Sequence, residues 1–135
     1  MIMAYQYFNP NPLKKNVGDC VVRALAMAFD ISWSDAYTEI SLYGLEKSDI
    51  PSSNSLWGSY LKENGFKAKI MPDSCPDCYT IKQFAFDHPK GIYVVATGSH
   101  VVAVVNGDYY DSWDSGDEIV AYYFEKENTD ELSNV

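Results

Sequence analysis

The sequence predicts an α+β fold, with N-terminal helices packed on a C-terminal antiparallel sheet. Three observations carry this. Up to residue 88 apolar side chains recur at helical spacing between capping and stop residues; after Gly91 the apolar period drops to two; and Asn106-Gly107 is a two-residue hairpin signal between two such alternating runs.

Each element follows from local chemistry. Asn9-Pro10-Asn11-Pro12 reads as extended or turn, because proline bars helix in the residue before it. Asp19 is an N-cap for a helix running to about Phe29, with Val22, Leu25, Ala26 and Phe29 on one stripe. Ser32-Trp33-Ser34-Asp35 opens a second helix, which Gly44 is expected to end. A third covers residues 55–64, with Leu56, Trp57, Tyr60 and Leu61 inward and Gly65 as its stop. Residues 66–71 read as a short strand. Thr80 caps a short helix carrying Ile81, Phe84 and Ala85 that must end by His88, ahead of Pro89. Residues 92–97, 100–105, 108–113 and 118–124 are four strand candidates.

A chain of 135 residues with 47% apolar content is expected to form one domain over residues 1–126, followed by a polar tail at 127–135. The first eight residues lack a basic segment and a small-residue cleavage site, and the chain has no apolar run long enough to span a bilayer. Three cysteines, an odd set, fit a reducing compartment, so a cytoplasmic location is expected. The net charge is −9 and unevenly placed: from Asp108 onward nine acids face the single base Lys126. Such a surface repels phosphate backbones, which argues against nucleic acid as a partner, and no membrane partner is expected.

The chemistry centres on Val17-Gly18-Asp19-Cys20-Val21-Val22-Arg23 and Ser99-His100-Val101-Val102. A thiol at a helix N-terminus has its thiolate stabilised by free backbone N–H groups and the helix dipole, and a histidine on an adjoining strand can hold the ion pair. The hairpin then selects the acid that serves the histidine. With a two-residue Asn106-Gly107 turn, Val102 faces Asp111 and His100 faces Trp113, so His100 and Asp111 share a face. Asp114 is the alternative, reached only if the turn holds an odd number of residues.

Cys20 at a helix start, His100 opening a strand and Asp111-Ser112-Trp113 on the next strand resemble the papain-like cysteine peptidase superfamily. In that superfamily an Asn-Ser-Trp segment orients the histidine; Asp111 stands at the position of that asparagine, and carboxylates occur there in the bacteriocin-processing and ubiquitin-specific branches. The resemblance implies a hydrolase with Cys20 as nucleophile, His100 as base and Asp111 orienting the imidazole. Papain-like enzymes usually carry a glutamine shortly before the nucleophile to bind the oxyanion; here Asn16 is the candidate, with the Cys20 N–H as second donor. Nearly the whole chain also resembles small phage and prophage proteins of gut Firmicutes that share the Gly-Asp-Cys-Val-Val-Arg-Ala-Leu and Gly-Ser-His-Val-Val-Ala-Val-Val patterns, which implies a phage origin and a host cytoplasm as the setting.

Arg23 is the only arginine, and its expected role is an i,i+4 pair with Asp19. Cys75-Pro76-Asp77-Cys78 raises zinc or dithiol chemistry, but a structural zinc needs four ligands and no second Cys-X-X-Cys exists; no metal or other cofactor is expected. The substrate expected is a protein or peptide with an extended or glycine-containing segment, in a groove narrowed by Trp113 and Tyr7 or Phe8 and favouring basic sequences. Two alternatives stand beside this: a catalytically silent papain-like phage protein that binds and inhibits a host protein, and a cell-wall amidase resembling the NlpC/P60 family.

Overall fold

The computed structural model describes residues 4–71 and 79–127. Among these residues four helices and one six-stranded mixed sheet follow in the order β1 (Tyr5–Tyr7), α1 (Cys20–Ala28), α2 (Trp33–Lys47), α3 (Asn54–Glu63), β2 (Phe66–Ile70), α4 (Ile81–Asp87), β3 (Ile92–Ala96), β4 (Val101–Val105), β5 (Asp108–Asp111) and β6 (Tyr122–Lys126). The class is α+β. The sheet order is β1-β5-β4-β3-β6-β2. Helices α1, α2 and α3 pack on one face, where Leu25, Ile40, Trp57, Val94, Ala103 and Phe124 form the core. Helix α4 covers the other, with Ile81 and Phe84 against Val95, Val102, Val104 and Tyr109.

Side-chain capping is found where the sequence puts it at Ser32 and Thr80, but not at Asp19, whose carboxylate makes no cap hydrogen bond. Ser32 Oγ accepts from the Asp35 N–H at 3.0 Å. Thr80 and Gln83 form a reciprocal box, with Gln83 N–H to Thr80 Oγ1 at 3.2 Å and Thr80 N–H to Gln83 Oε1 at 2.9 Å. Asn106 and Gly107 both take positive φ (50° and 88°), the requirement of a two-residue type I′ turn. Val105 therefore pairs with Asp108, Val104 with Tyr109 and Ala103 with Tyr110.

Four expectations are corrected. The sheet is mixed, not antiparallel throughout: β1 was not foreseen and pairs parallel with β5, Tyr5 beside Tyr109. Its three residues are too few to show a period; pairing to a distant edge creates it. The last strand begins at Tyr122, because residues 115–120 dock on α4 instead: Gly116 O accepts from Lys82 N–H, Glu118 O from Ile81 N–H, and Val120 N–H bonds Tyr79 O. Strand β5 stops at Asp111, where the carboxylate is drawn into a buried cluster.

Gly44 does not end α2, which continues to Lys47 and closes on Ser48 in the left-handed conformation (φ 56°). Gly44 is needed for close packing instead. A Cβ there would sit 2.6 Å from Asp49 O and 3.1 Å from Leu56 Cδ2. Gly44→Ala is therefore expected to cost about 1–3 kcal/mol through overpacking of the α2–α3 corner, read as a lower denaturation midpoint at unchanged slope. A gain in stability, as helix propensity alone would give, would contradict this packing argument.

Candidate active site

The site forms where the start of α1 meets the β3–β4 turn and the end of β5. Cys20 is the first residue of α1. Its neighbour Asp19 caps the helix through backbone alone, Arg23 N–H bonding Asp19 O at 2.8 Å, because the Asp19 carboxylate is used elsewhere. The first-turn amides of Cys20, Val21 and Val22 have no acceptor within the helix and make its start electropositive.

His100 lies one residue ahead of β4, at the close of a tight turn. Thr97 holds that turn: its Oγ1 accepts from Ser99 N–H at 3.2 Å and His100 N–H at 3.0 Å, and its own N–H bonds His100 O at 2.9 Å. The imidazole is thereby set at the sheet end nearest the α1 N-terminus. His100 Nε2 and Asp111 Oδ2 are 2.6 Å apart. Nδ1 is left for the thiol.

Asp111 is fully buried, yet every lone pair is used. Oδ2 also accepts from Ser115 Oγ at 2.6 Å, and Oδ1 accepts from Ser112 N–H at 2.8 Å and an Arg23 Nη at 2.9 Å. The second Arg23 Nη bonds Asp19 Oδ1, and Trp33 Nε1 donates to Asp19 Oδ2 at 2.8 Å. Asp114 lies elsewhere: it is exposed and accepts from Tyr109 Oη and from Gly116 N–H. Two members of this cluster, Ser115 and Trp33, were not singled out from sequence, and neither was the Arg23–Asp111 link. Trp33 meets Asp19 across 14 residues and Arg23 meets Asp111 across 88, so no local pattern marks them, whereas Ser115 lies four residues from Asp111, a spacing that could have suggested it.

These contacts move charge in one direction. Burial alone would push the Cys20 thiol up, but its interaction with the His100 ring and with the Val101 backbone outweighs burial and holds it below its ordinary value. Burial likewise opposes charge on His100, and is overcome by Asp111 and Cys20, which raise the imidazole to about 9. Asp111 is held below the usual carboxylate range, despite burial, by His100, Ser115 and Arg23. A thiolate–imidazolium pair therefore occupies the window between the lowered thiol and the raised imidazole.

A cavity of about 550 Å³ opens beside Cys20 and His100, walled by Trp33, Tyr37, Pro51 and Trp57. Trp33 and Tyr37 stack 5.1 Å apart. The expected groove aromatics are corrected here. Trp113 packs on the His100 ring at 5.0 Å, Phe8 packs on Tyr110, and Tyr7 is exposed on the edge strand; the cavity lining includes none of them. Asn16 is also corrected. It is exposed and outside the cavity lining, whereas Cys20, Val21 and Val22 of the α1 first turn line it.

Cys75 and Cys78 fall outside the described residues. Among the described residues no group of three or more His, Cys, Asp or Glu side chains is placed to hold a metal ion, and no helix is long and apolar enough to cross a membrane. Comparison of the chain with protein-family models, with curated proteins and with solved structures finds no match.

Proposed function

We propose that this chain is a cysteine-nucleophile hydrolase of papain-like type acting on an amide or isopeptide bond of a protein or peptide. The observation that carries the reading is the Cys20 thiol at the start of α1 beside His100, whose far nitrogen lies 2.6 Å from the buried Asp111. Cys20 Sγ attacks the carbonyl carbon, and the oxyanion is met by the α1 first-turn amides. His100 passes its proton to the departing amine as the C–N bond breaks. Water then adds to the thioester, His100 takes the water's proton, the C–S bond breaks, and the carboxylic product leaves with the thiolate regenerated. Asp111 holds the imidazole tautomer and stabilises its charge throughout.

The cavity favours an uncharged side chain next to the cut bond. Aromatic and apolar side chains dominate its walls, Ser52, Asn54, Thr97 and Ser99 add only uncharged polar groups, and the carboxylate of Asp19 in the lining is already bonded to Arg23 and Trp33. Any preference for basic sequences must then come from the acidic surface and weaken with salt.

Brief iodoacetamide treatment at pH 6, with the sites mapped by mass spectrometry, tests the reading. Cys20 is expected to label ahead of Cys75 and Cys78, and a peptide library is expected to be cut by the native protein and left intact by Cys20→Ala. Equal labelling of all three cysteines removes the activated nucleophile. A labelled Cys20 without turnover favours the inhibitor reading, and cleavage confined to peptidoglycan fragments favours a cell-wall amidase.

A further inference from the structure

Arg23 is an unusual residue to find inside a domain of this size. It is 5% exposed, on the inner side of α1, between two carboxylates from different parts of the chain. Burying a guanidinium and two carboxylates carries a large desolvation cost for each ion, and well-packed apolar residues would serve stability as well. A simple i,i+4 pair with Asp19 would need neither burial nor the reach to Asp111.

We propose that Arg23 is the positioning and charge-balancing residue of the Cys20–His100 pair: one Nη fixes Asp111 so that its other oxygen meets His100, and the cation, offset by Asp19, sets where in pH the pair is ionised. The inference rests on the hydrolase reading above and extends it to a residue that does not touch the reacting atoms.

The geometry divides the two roles. Arg23 and the Ser112 N–H occupy Oδ1 of Asp111, which leaves Oδ2 for Ser115 and His100. A neutral amide in place of Asp111 cannot accept on both sides, so the arginine is also a reason for a carboxylate here instead of asparagine. The charges facing Arg23 come from each element around it. The α1 start supplies Asp19 and Cys20, β5 supplies Asp111, and the β4 head supplies His100. From β1 comes the Tyr5 phenol, which bonds Asp111 O and interacts with both Arg23 and Asp111, while α2 contributes only the uncharged Trp33 indole. A cation in this set disfavours protonation of both Cys20 and His100. Asp19 does the opposite, so the two residues oppose each other on one scale.

The test is the pH profile of Cys20 alkylation, and of peptide hydrolysis, in the full chain with Arg23→Met, Arg23→Lys and Asp19→Asn. Arg23→Met is expected to move both the acidic and the alkaline limbs upward by about half a unit to one unit and to lower the rate at the optimum. Arg23→Lys keeps the charge and is expected to leave the limbs in place while lowering that rate, because an ammonium lacks the planar fork that joins two carboxylates. Asp19→Asn, a tolerated N-cap residue, is expected to move both limbs downward, and it decides the matter if Arg23→Met does not fold. Limbs that stay fixed in Asp19→Asn and in any folded Arg23→Met, with only the melting temperature changed, overturn the inference and leave Arg23 structural. An unreactive Cys20 in the native protein at pH 6 overturns the hydrolase reading itself, an outcome the native control reads separately.

Discussion

Asp111→Ala is expected to lower stability by about 3–5 kcal/mol, a large part of the 5–15 kcal/mol typical of a small domain. The substitution removes the shared acceptor of Arg23, His100, Ser115 and the Ser112 N–H at a fully buried position. Arg23 keeps Asp19 but loses its second partner, and the buried Ser115 hydroxyl and the half-buried Ser112 amide are left without acceptors. Thermal unfolding followed by circular dichroism should show a fall on the order of 10–20 °C. Asp114→Ala should cost no more than about 1 kcal/mol, because Asp114 is exposed and its main partner is one tyrosine hydroxyl. Equal losses from the two would mean that the Asp111 cluster does not hold β5 to α1. Activity should follow the same order, with Asp111→Asn more damaging than Asp114→Asn.

His100→Gln is expected to reduce hydrolysis by about 10²–10⁴-fold, the usual share of a positioned acid–base group, and to slow Cys20 alkylation at pH 6 by tenfold or more. The imidazolium that favours the thiolate is gone, while burial of the thiol remains and pushes it up. The native profile should be bell-shaped. Its acidic limb marks protonation of Cys20, below that thiol's ordinary value, and its alkaline limb lies near pH 9, where His100 gives up its proton. Stability carries a matching signature. The His100 contribution, from a pKa raised from 6.5 to about 9, is complete below pH 6.5 and is lost as pH rises through 9. The Asp111 contribution has the opposite sense: present above its unfolded value of 3.8, it is lost as pH falls through the lower folded value. The stability gap between native protein and His100→Gln should thus shrink between pH 6.5 and 9. A gap that widens over that range would place the charge on the wrong group.

The helices were legible because their signals are local. Asp19 and Thr80 mark helix starts, Leu25 and Trp57 lie on apolar stripes, and each signal sits within a few residues of what it controls. Asn106-Gly107 carried more: a turn that demands positive φ twice sets the register of β4 on β5 and so puts His100 and Asp111 within reach of each other. Gly44 misled for the same reason. Glycine reads locally as a stop, and only the approach of Asp49 and Leu56 shows why it lies inside a helix.

By itself, then, the sequence determined the α+β class, most helix starts, the hairpin register, and the thiol, imidazole and carboxylate that converge. Only the tertiary structure decided that β1 adds parallel to β5, that Arg23 reaches Asp111 across 88 residues as well as Asp19 across four, and that Trp33, Tyr37 and Trp57 wall the cavity in place of Trp113, Tyr7 and Phe8. The physical reason is a difference in range. Period, caps and turns act through backbone geometry over a few residues. The partner of a buried charge and the wall of a cavity are chosen by which distant surfaces pack together, and the residues that meet there carry no local mark of it.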